Sequence, residues 1–371
     1  MSDLRASESD AWRHLIAIGG RESLFVTPEW LGAWVTELGG GWTPLLLAVS
    51  DRDEIAAIAP FGLRPGSLTA PATVSLLGTG CTDYLGPLVD PRAGASAIEA
   101  LLSTLVADWS NWQLLDLPGL PAESPAVSWL AQAARGLGLL CAVLPGYACP
   151  ELPIAGSWSS HLAARGTGFR SWLGRRRRQL ERLGGVRFVH LRTPREALSA
   201  LDAVIALHGR RWRGQHTSSV FSSSASGRRF YRSVTAAYAE RGQTDLVLLE
   251  RMGEPIAAAL SFEHAGRYAY YMPVHDPAYD AFSPGTVLLA HLVEQAHERR
   301  FTIFDFMVGE ESYKYRWATT EQHTVRFIAA RRGSLGALAF GVARARVQLR
   351  LKARQLALAR AAYRRFGGMF R

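Results

Sequence analysis

Two stretches of the chain repeat one phrase of apolar and polar positions, and internal repeats set the architecture of a fold before any single element does. Residues 44–61 read PLLLAVSDRDEIAAIAPF, and residues 245–262 read DLVLLERMGEPIAAALSF. Each is an apolar run, a polar turn and a second run of small and β-branched residues, the pattern of a buried hairpin. Ile55-Ala56-Ala57 falls on Ile256-Ala257-Ala258, an offset of 201. A second echo follows in the same order: WQLLDL at 112–117 and FTIFDF at 301–306, offset by 189. Amphipathic helical stretches precede both, at 97–109 and 287–299. Both halves therefore read hairpin, further strand, helix, strand, and predict a duplicated α/β domain. Within the second half, 159–183 and 194–213 have helical periodicity, and 227–241 forms a third helix with Phe230, Val234, Ala237 and Tyr238 on one face. The Ser/Gly-rich stretch 214–226 is a loop, serving as a lid or as a plain linker.

A chain of 371 residues exceeds the usual size of one core. The repeat divides it into an N-terminal domain at 1–155, a C-terminal domain at 156–330 and a tail at 331–371. With 48% hydrophobic residues, 15 Phe, 11 Tyr and 11 Trp, there is ample material for packed cores, which excludes disordered and low-complexity classes. No stretch approaches the ~18 uncharged apolar residues of a membrane span. The first ten residues carry three acids and one arginine with no apolar run after them, so a soluble cytoplasmic protein is expected. Cys81, Cys141 and Cys149 have no metal-like spacing and predict neither a disulfide frame nor a metal site.

Charge is divided unevenly. Residues 331–371 hold ten Arg, one Lys and no acid, so a tail of +11 leaves the preceding body at −1 within the total of +10. Leu335, Val342, Leu349, Leu356, Tyr363 and Phe370 recur every seven residues in that tail, with arginines between them. Three readings stay open for this basic amphipathic helix: packing on the body, lying on an anionic membrane surface at the inner face, or contacting RNA or another partner.

Candidate chemistry gathers in 267–317, where an aromatic strand at 268–274 leads through a loop into Ser283-Pro284-Gly285 at the start of a helix. Ser283 is placed as N-cap and Pro284 at the first helical position. Gly285 and Thr286 present backbone N–H groups at the positive end of the helix dipole, a place to hold a phosphate, although many such helix starts bind nothing. His275 titrates in the range useful for proton transfer, unless it is simply a solvated loop histidine. Asp305 lies on an apolar strand, where an ionised carboxylate is costly unless paired. It either orients a substrate amine or pairs with a buried arginine, and Asp116 is its counterpart in the first half. The run Arg175–Arg178, with Arg170 and Arg182 nearby, attracts phosphates of coenzyme A or nucleic acid. Four successive helical positions cannot all face one ligand, so one or two members, Arg178 among them, are the functional candidates. His208, Arg211 and Trp212, beside the candidate lid, are expected to line an acceptor pocket.

The phrases TPEWLGAW, DYLGPLVDP, FRSWLGRRRRQLERLG, ALHGRRW, GEPIAAALSF, HDPAYDAFSPGTVLL and FDFMVGEESYKYRWAT, in that order, cover most of the chain. Together they resemble the GNAT superfamily, in the branch typified by the cellulose-biosynthesis protein CelD/BcsL, relatives of the FemAB peptidyltransferases. The resemblance implies two tandem GNAT-like α/β domains, each a mixed central sheet flanked by helices, plus the basic C-terminal helix. It implies acetyl-CoA or another acyl-CoA as co-substrate, an amine-bearing small-molecule, sugar or envelope-polysaccharide acceptor, and no metal. The pyrophosphate loop of such folds is usually Arg/Gln-x-x-Gly-x-Gly/Ala, and this chain has Phe282-Ser283-Pro284-Gly285-Thr286 instead. A splayed fourth strand would offer backbone N–H groups near Met272 and Val274 to the thioester carbonyl. His275, Asp276 and Glu310 are the implied bases, Tyr313 a proton donor to the thiolate. Lys314, in a Tyr-Lys phrase like the FemAB Phe-Lys, is either near developing negative charge or on the surface. Direct attack is implied, since no cysteine stands in a nucleophile setting. In the first half Asp90-Pro91-Arg92-Ala93-Gly94 replaces Ser-Pro-Gly, giving that half a structural or acceptor-shaping role. The rival readings are a FemAB-like transferase using aminoacyl-tRNA and a non-catalytic, membrane-tethered module for polysaccharide assembly.

Overall fold

The computed structural model describes residues 6–51, 54–211 and 224–366. In chain order the first elements are α1 (Ala6–Ile18), α2 (Pro28–Glu37), β1 (Thr43–Asp51), β2 (Glu54–Arg64), β3 (Thr73–Leu76), β4 (Leu88–Val89), α3 (Gly94–Asp108), β5 (Leu114–Pro121), α4 (Pro125–Gly136) and β6 (Leu140–Pro153). The second half continues with α5 (Trp158–Ala164), α6 (Gly166–Glu181), β7 (Val186–Leu191), α7 (Pro194–Arg211), α8 (Ala225–Glu240), β8 (Thr244–Arg251), β9 (Glu254–His264) and β10 (Arg267–His275). A short 3-10 turn (Pro277–Phe282) leads into α9 (Pro284–Glu298), followed by β11 (Ile303–Asp305), β12 (Thr320–Ala330) and α10 (Leu335–Phe366). The helical stretch expected at 159–183 is two helices, because Gly166 takes a left-handed φ of +76° between them.

The chain forms two compact units, neither continuous in sequence. Unit 1 is built from residues 27–40 and 147–322, and unit 2 from 2–26, 41–146 and 323–371. In unit 2, β1 and β2 form an antiparallel hairpin, β3 pairs antiparallel with β2, β5 runs parallel to β3, and β12 lies antiparallel to β5. Helix α3 packs on β1 and β2 and against α4. In unit 1, β7 to β10 form an antiparallel meander, β11 runs parallel to β10, and the end of β6 lies antiparallel to β11. Each unit is thus a mixed sheet flanked by helices, with the duplicated order that the two sequence echoes predict. In each, the strand beside the aspartate-bearing strand comes from the other half of the sequence: β12 beside β5, and β6 beside β11.

The hairpins correct one detail of the repeat. Asp51 faces Glu54 across the first turn and Arg251 faces Glu254 across the second, and both ladders shift register one position earlier, at Val49/Ser50 and Leu249/Glu250. The structural offset is therefore 200, where the alanine phrase gives 201. A slip of one residue would exchange the two faces of a strand, so the matching alanines are a fortuitous alignment within a real repeat.

Unit 1 buries its sheet on both faces. Leu173 and Leu180 of α6 and the apolar side of α9 from Val287 to Ala296 pack with Tyr268, Tyr270, Phe304 and Trp317 on one face. Helices α2, α7 and α8 cover the other. Trp30 of α2 is fully buried, with edge contacts to the rings of Phe230, Tyr238, Phe262 and Tyr271 at 5.3–5.9 Å. Thr27 caps α2 by accepting from the Trp30 N–H and shares a 2.7 Å hydrogen bond with the Tyr238 hydroxyl. These contacts explain why α2 belongs to unit 1 although its sequence lies far from the rest of it. Among the described residues, no helix is long and apolar enough to cross a membrane.

Candidate active site at the parting of two strands

Strands β10 and β11 pair through three positions only, Arg267 with Ile303, Tyr268 with Phe304 and Ala269 with Asp305. There β11 ends, and the Phe306 N–H turns to the Pro150 carbonyl. Strand β10 continues to His275 past an irregularity between Ala269 and Met272, paired with β9 alone, with Met272 opposite Leu260 and Val274 opposite Ala258. Among the described residues, the stretch 270–275 thus has a strand on one side only. The local sequence accounts for the bend. Tyr270 packs with Phe304 and Phe306 on one face, while Tyr271 packs with Trp30 and Phe262 on the other and meets the Tyr231 hydroxyl at 3.1 Å. Two anchored rings at successive positions fix the irregularity, and Pro273 just beyond has no N–H for a ladder.

The end of β10 meets the start of α9. Ser283 stands at the cap position, as expected, but at a left-handed φ of 53° and with no side-chain cap bond. The Thr286 N–H donates to the Ser283 carbonyl at 3.1 Å, so of the two N–H groups expected to face a phosphate, this one is already engaged. A Cβ on Gly285 would lie 3.1 Å from Nδ1 of His275, so the imidazole lies tight against the helix start and would have to give by a few tenths of an ångström to admit a side chain there. Nε2 of His275 meets the Asp280 carboxylate at 2.8 Å, so Nε2 carries a proton and donates it to that carboxylate. Asp276 caps the 3-10 turn through the Ala278 N–H at 3.0 Å and pairs with Arg210 of α7 at 3.3 Å. His208, two residues earlier on α7, is buried, and α7 packs on β9 and β10. Arg211 is the last residue of α7, and Trp212 lies outside the described residues together with most of the expected 214–226 loop.

A second group surrounds Asp305, which is 1% exposed. Its carboxylate accepts from Arg267 at 2.8 Å and from the Met307 N–H at 2.8 Å, and Arg267 also bonds Glu151, the residue facing Asp305 across β6 and β11. Of the two roles left open for Asp305, pairing with an arginine is therefore the observed one. Asp116 matches it, held by Arg326 at 2.6 and 2.7 Å. Arg267 and Glu151 escaped the sequence reading. The signal was present only as a charged residue opening an apolar strand.

Lys314 is not on the surface: it is 4% exposed, donating to the Val308 carbonyl at 2.8 Å and pairing with Glu311 at 2.9 Å. Gly309, at φ +129°, completes this loop, since a Cβ there would collide with the Glu311 carboxylate and the Lys314 ammonium. Tyr313 is half-buried against the unit 1 core, whereas Glu310 is exposed. The arginine run divides as helical geometry requires: Arg177 pairs with Glu294 at 2.7 Å, Arg176 with Gln179 at 3.1 Å, and Arg175 and Arg178 are exposed. The structure therefore brings His275, Ser283, Gly285 and Thr286 together beside the one-sided stretch of β10, but Met272 and Val274, opposite Leu260 and Ala258 in the register that carries the Asp276 N–H to the Ile256 carbonyl, turn their own N–H groups into the β9 ladder. It places Asp305 and Lys314 in separate networks, and Glu310 and Arg178 in solvent.

One further network was not legible in sequence. Buried Asp245 accepts from Arg192 and from the Tyr268 hydroxyl, both at 3.1 Å, and meets Nδ1 of His190 at 2.9 Å. Nε2 of His190 in turn meets Nε2 of His291 at 2.9 Å. Burial raises the Asp245 carboxyl, but its hydrogen bonds from His190 and Arg192 outweigh that and hold it below the ordinary value. His291 is pushed down to about 4 by burial, then by the charges of His190 and Arg177. Among the described residues, no three His, Cys, Asp or Glu side chains are grouped to hold a metal ion.

Comparisons bear on unit 1 most directly. Residues 167–315 match the family described as an acetyltransferase (GNAT) domain. No curated protein sequence matches the chain. Among solved structures the chain is similar to FemX, with a TM-score of 0.60 at 14% identity, covering 86% of this chain and 95% of that one. It is also similar to the C-terminal domain (DUF2156) of a putative lysylphosphatidylglycerol synthetase from Agrobacterium fabrum, with a TM-score of 0.55 at 10% identity over 90% and 95% of the two chains. At these identities the likeness is one of fold.

Proposed function

We propose that unit 1 is an N-acyltransferase that moves an acyl group from acetyl-CoA or another acyl-CoA to an amine by direct attack. The observation that carries this reading is the parting of β10 from β11 directly before a helix N-terminus. The free strand edge supplies backbone N–H groups for the thioester carbonyl, and the first turn of α9 supplies a positive dipole end for the pyrophosphate. The amine nitrogen bonds to the acyl carbon, and His275 accepts the proton that the amine loses. The oxyanion is held at the open side of β10 between Tyr271 and His275, since Met272 and Val274 face β9. Its collapse breaks the carbon–sulfur bond, and the leaving thiolate takes a proton from Tyr313. His208 and Arg210 lie on the helix that packs against this strand, which makes them acceptor-side candidates. The acceptor class, a sugar or envelope-polysaccharide amine, rests on the CelD/BcsL-like phrases alone.

The test is calorimetric titration of the full chain with acetyl-CoA beside a Gly285→Trp variant whose melting is checked first. Micromolar binding that the folded variant loses supports donor and site together. Absence of binding across several acyl-CoAs overturns the reading. In turnover, His275→Ala should lower kcat/KM by about 10²–10⁴-fold, with the loss largest below the pKa of the acceptor amine.

A second donor, aminoacyl-tRNA, is favoured by the exposed Arg175 and Arg178 on α6. It predicts RNA binding that weakens steeply with salt and is relieved by Arg178→Ser.

A further inference from the structure

Helix α10 has two apolar faces, and only one of them is used. Ala339, Phe340, Ala343 and Val347 pack on unit 2 against Leu114, Leu144 and Ile328. On the other side Leu338, Val342 and Leu349 are 68%, 50% and 66% exposed. At ~100° per residue these three fall within about 40° of arc, opposite the packed side. Val342 and Leu349 belong to the seven-residue repeat that continues in sequence through Leu356 and Tyr363. Val342 and Leu349 are therefore the exposed members of that repeat, Leu335 at its start is half-buried, and the residues that anchor the helix lie outside it. Arg346 flanks the stripe on one side and Lys352 on the other, both exposed. Residues 331–371 add up to eleven positive charges with no acid.

These features choose among occupants. A second copy could meet the stripe in a coiled coil, but it would bring eleven more positive charges and nothing to offset them. RNA would answer the arginines and leave Leu338, Val342 and Leu349 in water. An anionic lipid surface answers both, with the stripe at the acyl boundary and the cations at the phosphates. We propose that α10 docks this chain in the plane of an anionic lipid bilayer through Leu338, Val342 and Leu349, bracketed by Arg346 and Lys352. The inference is independent of the acyl donor, because none of these residues belongs to the site on unit 1.

The test uses the full chain and co-sedimentation with vesicles of phosphatidylglycerol and phosphatidylcholine in equal parts, against phosphatidylcholine alone. Partition at least tenfold stronger onto the anionic vesicles is expected, falling at least tenfold again in 0.5 M salt. The triple variant Leu338→Glu, Val342→Glu, Leu349→Glu should lose that binding while melting like the parent, since all three side chains are exposed. Arg346→Ser with Lys352→Ser, which keeps the stripe, should lose it in part. Equal binding to both vesicle types, no binding at all, or unchanged binding by the triple variant overturns the proposal. So does a concentration-dependent dimer that the triple variant abolishes, or RNA binding tighter than vesicle binding.

Discussion

Asp305, Arg267 and Glu151 set two carboxylates against one guanidinium in an otherwise apolar layer, so the arginine is the member whose loss leaves the most charge unpaired. Arg267→Met should destabilise unit 1 by about 3–5 kcal/mol, and Asp305→Asn by less, because Arg267 keeps Glu151 and the amide still accepts from Met307. Urea unfolding of both variants checks the order. Asp305 could be singled out from sequence because a carboxylate in an apolar strand needs a partner. The partner could not, because Arg267 is brought to it by the parallel register of β10 on β11, a relation that spacing along the chain does not encode. His275 was legible as a group, but the Asp280 contact and the glycine beneath it were not. The buried histidines add a pH dependence. His161 is held at about 4 by burial, with His297 and Arg165 adding to the effect, and His291 is likewise held at about 4. In the unfolded chain both regain a value near 6.5 and take up protons first as pH falls. Their contribution is therefore complete above pH 6.5 and is lost as pH falls toward 4, on the order of 1 kcal/mol each after solvent screening. Urea midpoints at pH 7.5 and 5 should show the drop, and His291→Gln should reduce it.

Among elements, the strands and helices of both hairpin repeats could be read from hydrophobic pattern, while their residue-level alignment could not. Alanine runs match at several offsets, and only the turn, with Glu54 and Glu254 at the same place in each hairpin, fixes the register. The parting of β10 from β11 was likewise invisible to pattern, since it depends on two tyrosines packing on opposite faces. The loop after β11 is a separate case. Its carbonyls at Met307 and Val308 point at a buried ammonium, so its order depends on Lys314. Lys314→Met keeps the volume but removes the ammonium that donates to the Met307 and Val308 carbonyls. Amide exchange at Gly309, whose N–H donates to Ala148, should rise about tenfold, with the rest of unit 1 unchanged.

For the whole molecule, the decisive fact is that neither unit is made from one half of the sequence. Unit 1 needs α2 and the end of β6, and unit 2 needs β12. A chain beginning at residue 156 therefore lacks the helix that carries Trp30 and the strand beside β11, and is expected to be insoluble or molten when expressed alone. Co-expression with 1–155 should restore a cooperative melt. In the full chain, Trp30→Ala should cost about 3–5 kcal/mol, read by urea, although residue 30 lies far from the rest of its core. The exchange of strands also sets a schedule for synthesis. Strand β5 leaves the ribosome some two hundred residues before β12, its antiparallel partner. At ~5–20 residues per second, its apolar edge stands open for roughly 10 to 40 s. During that interval the nascent chain offers an unpaired β edge to any passing strand.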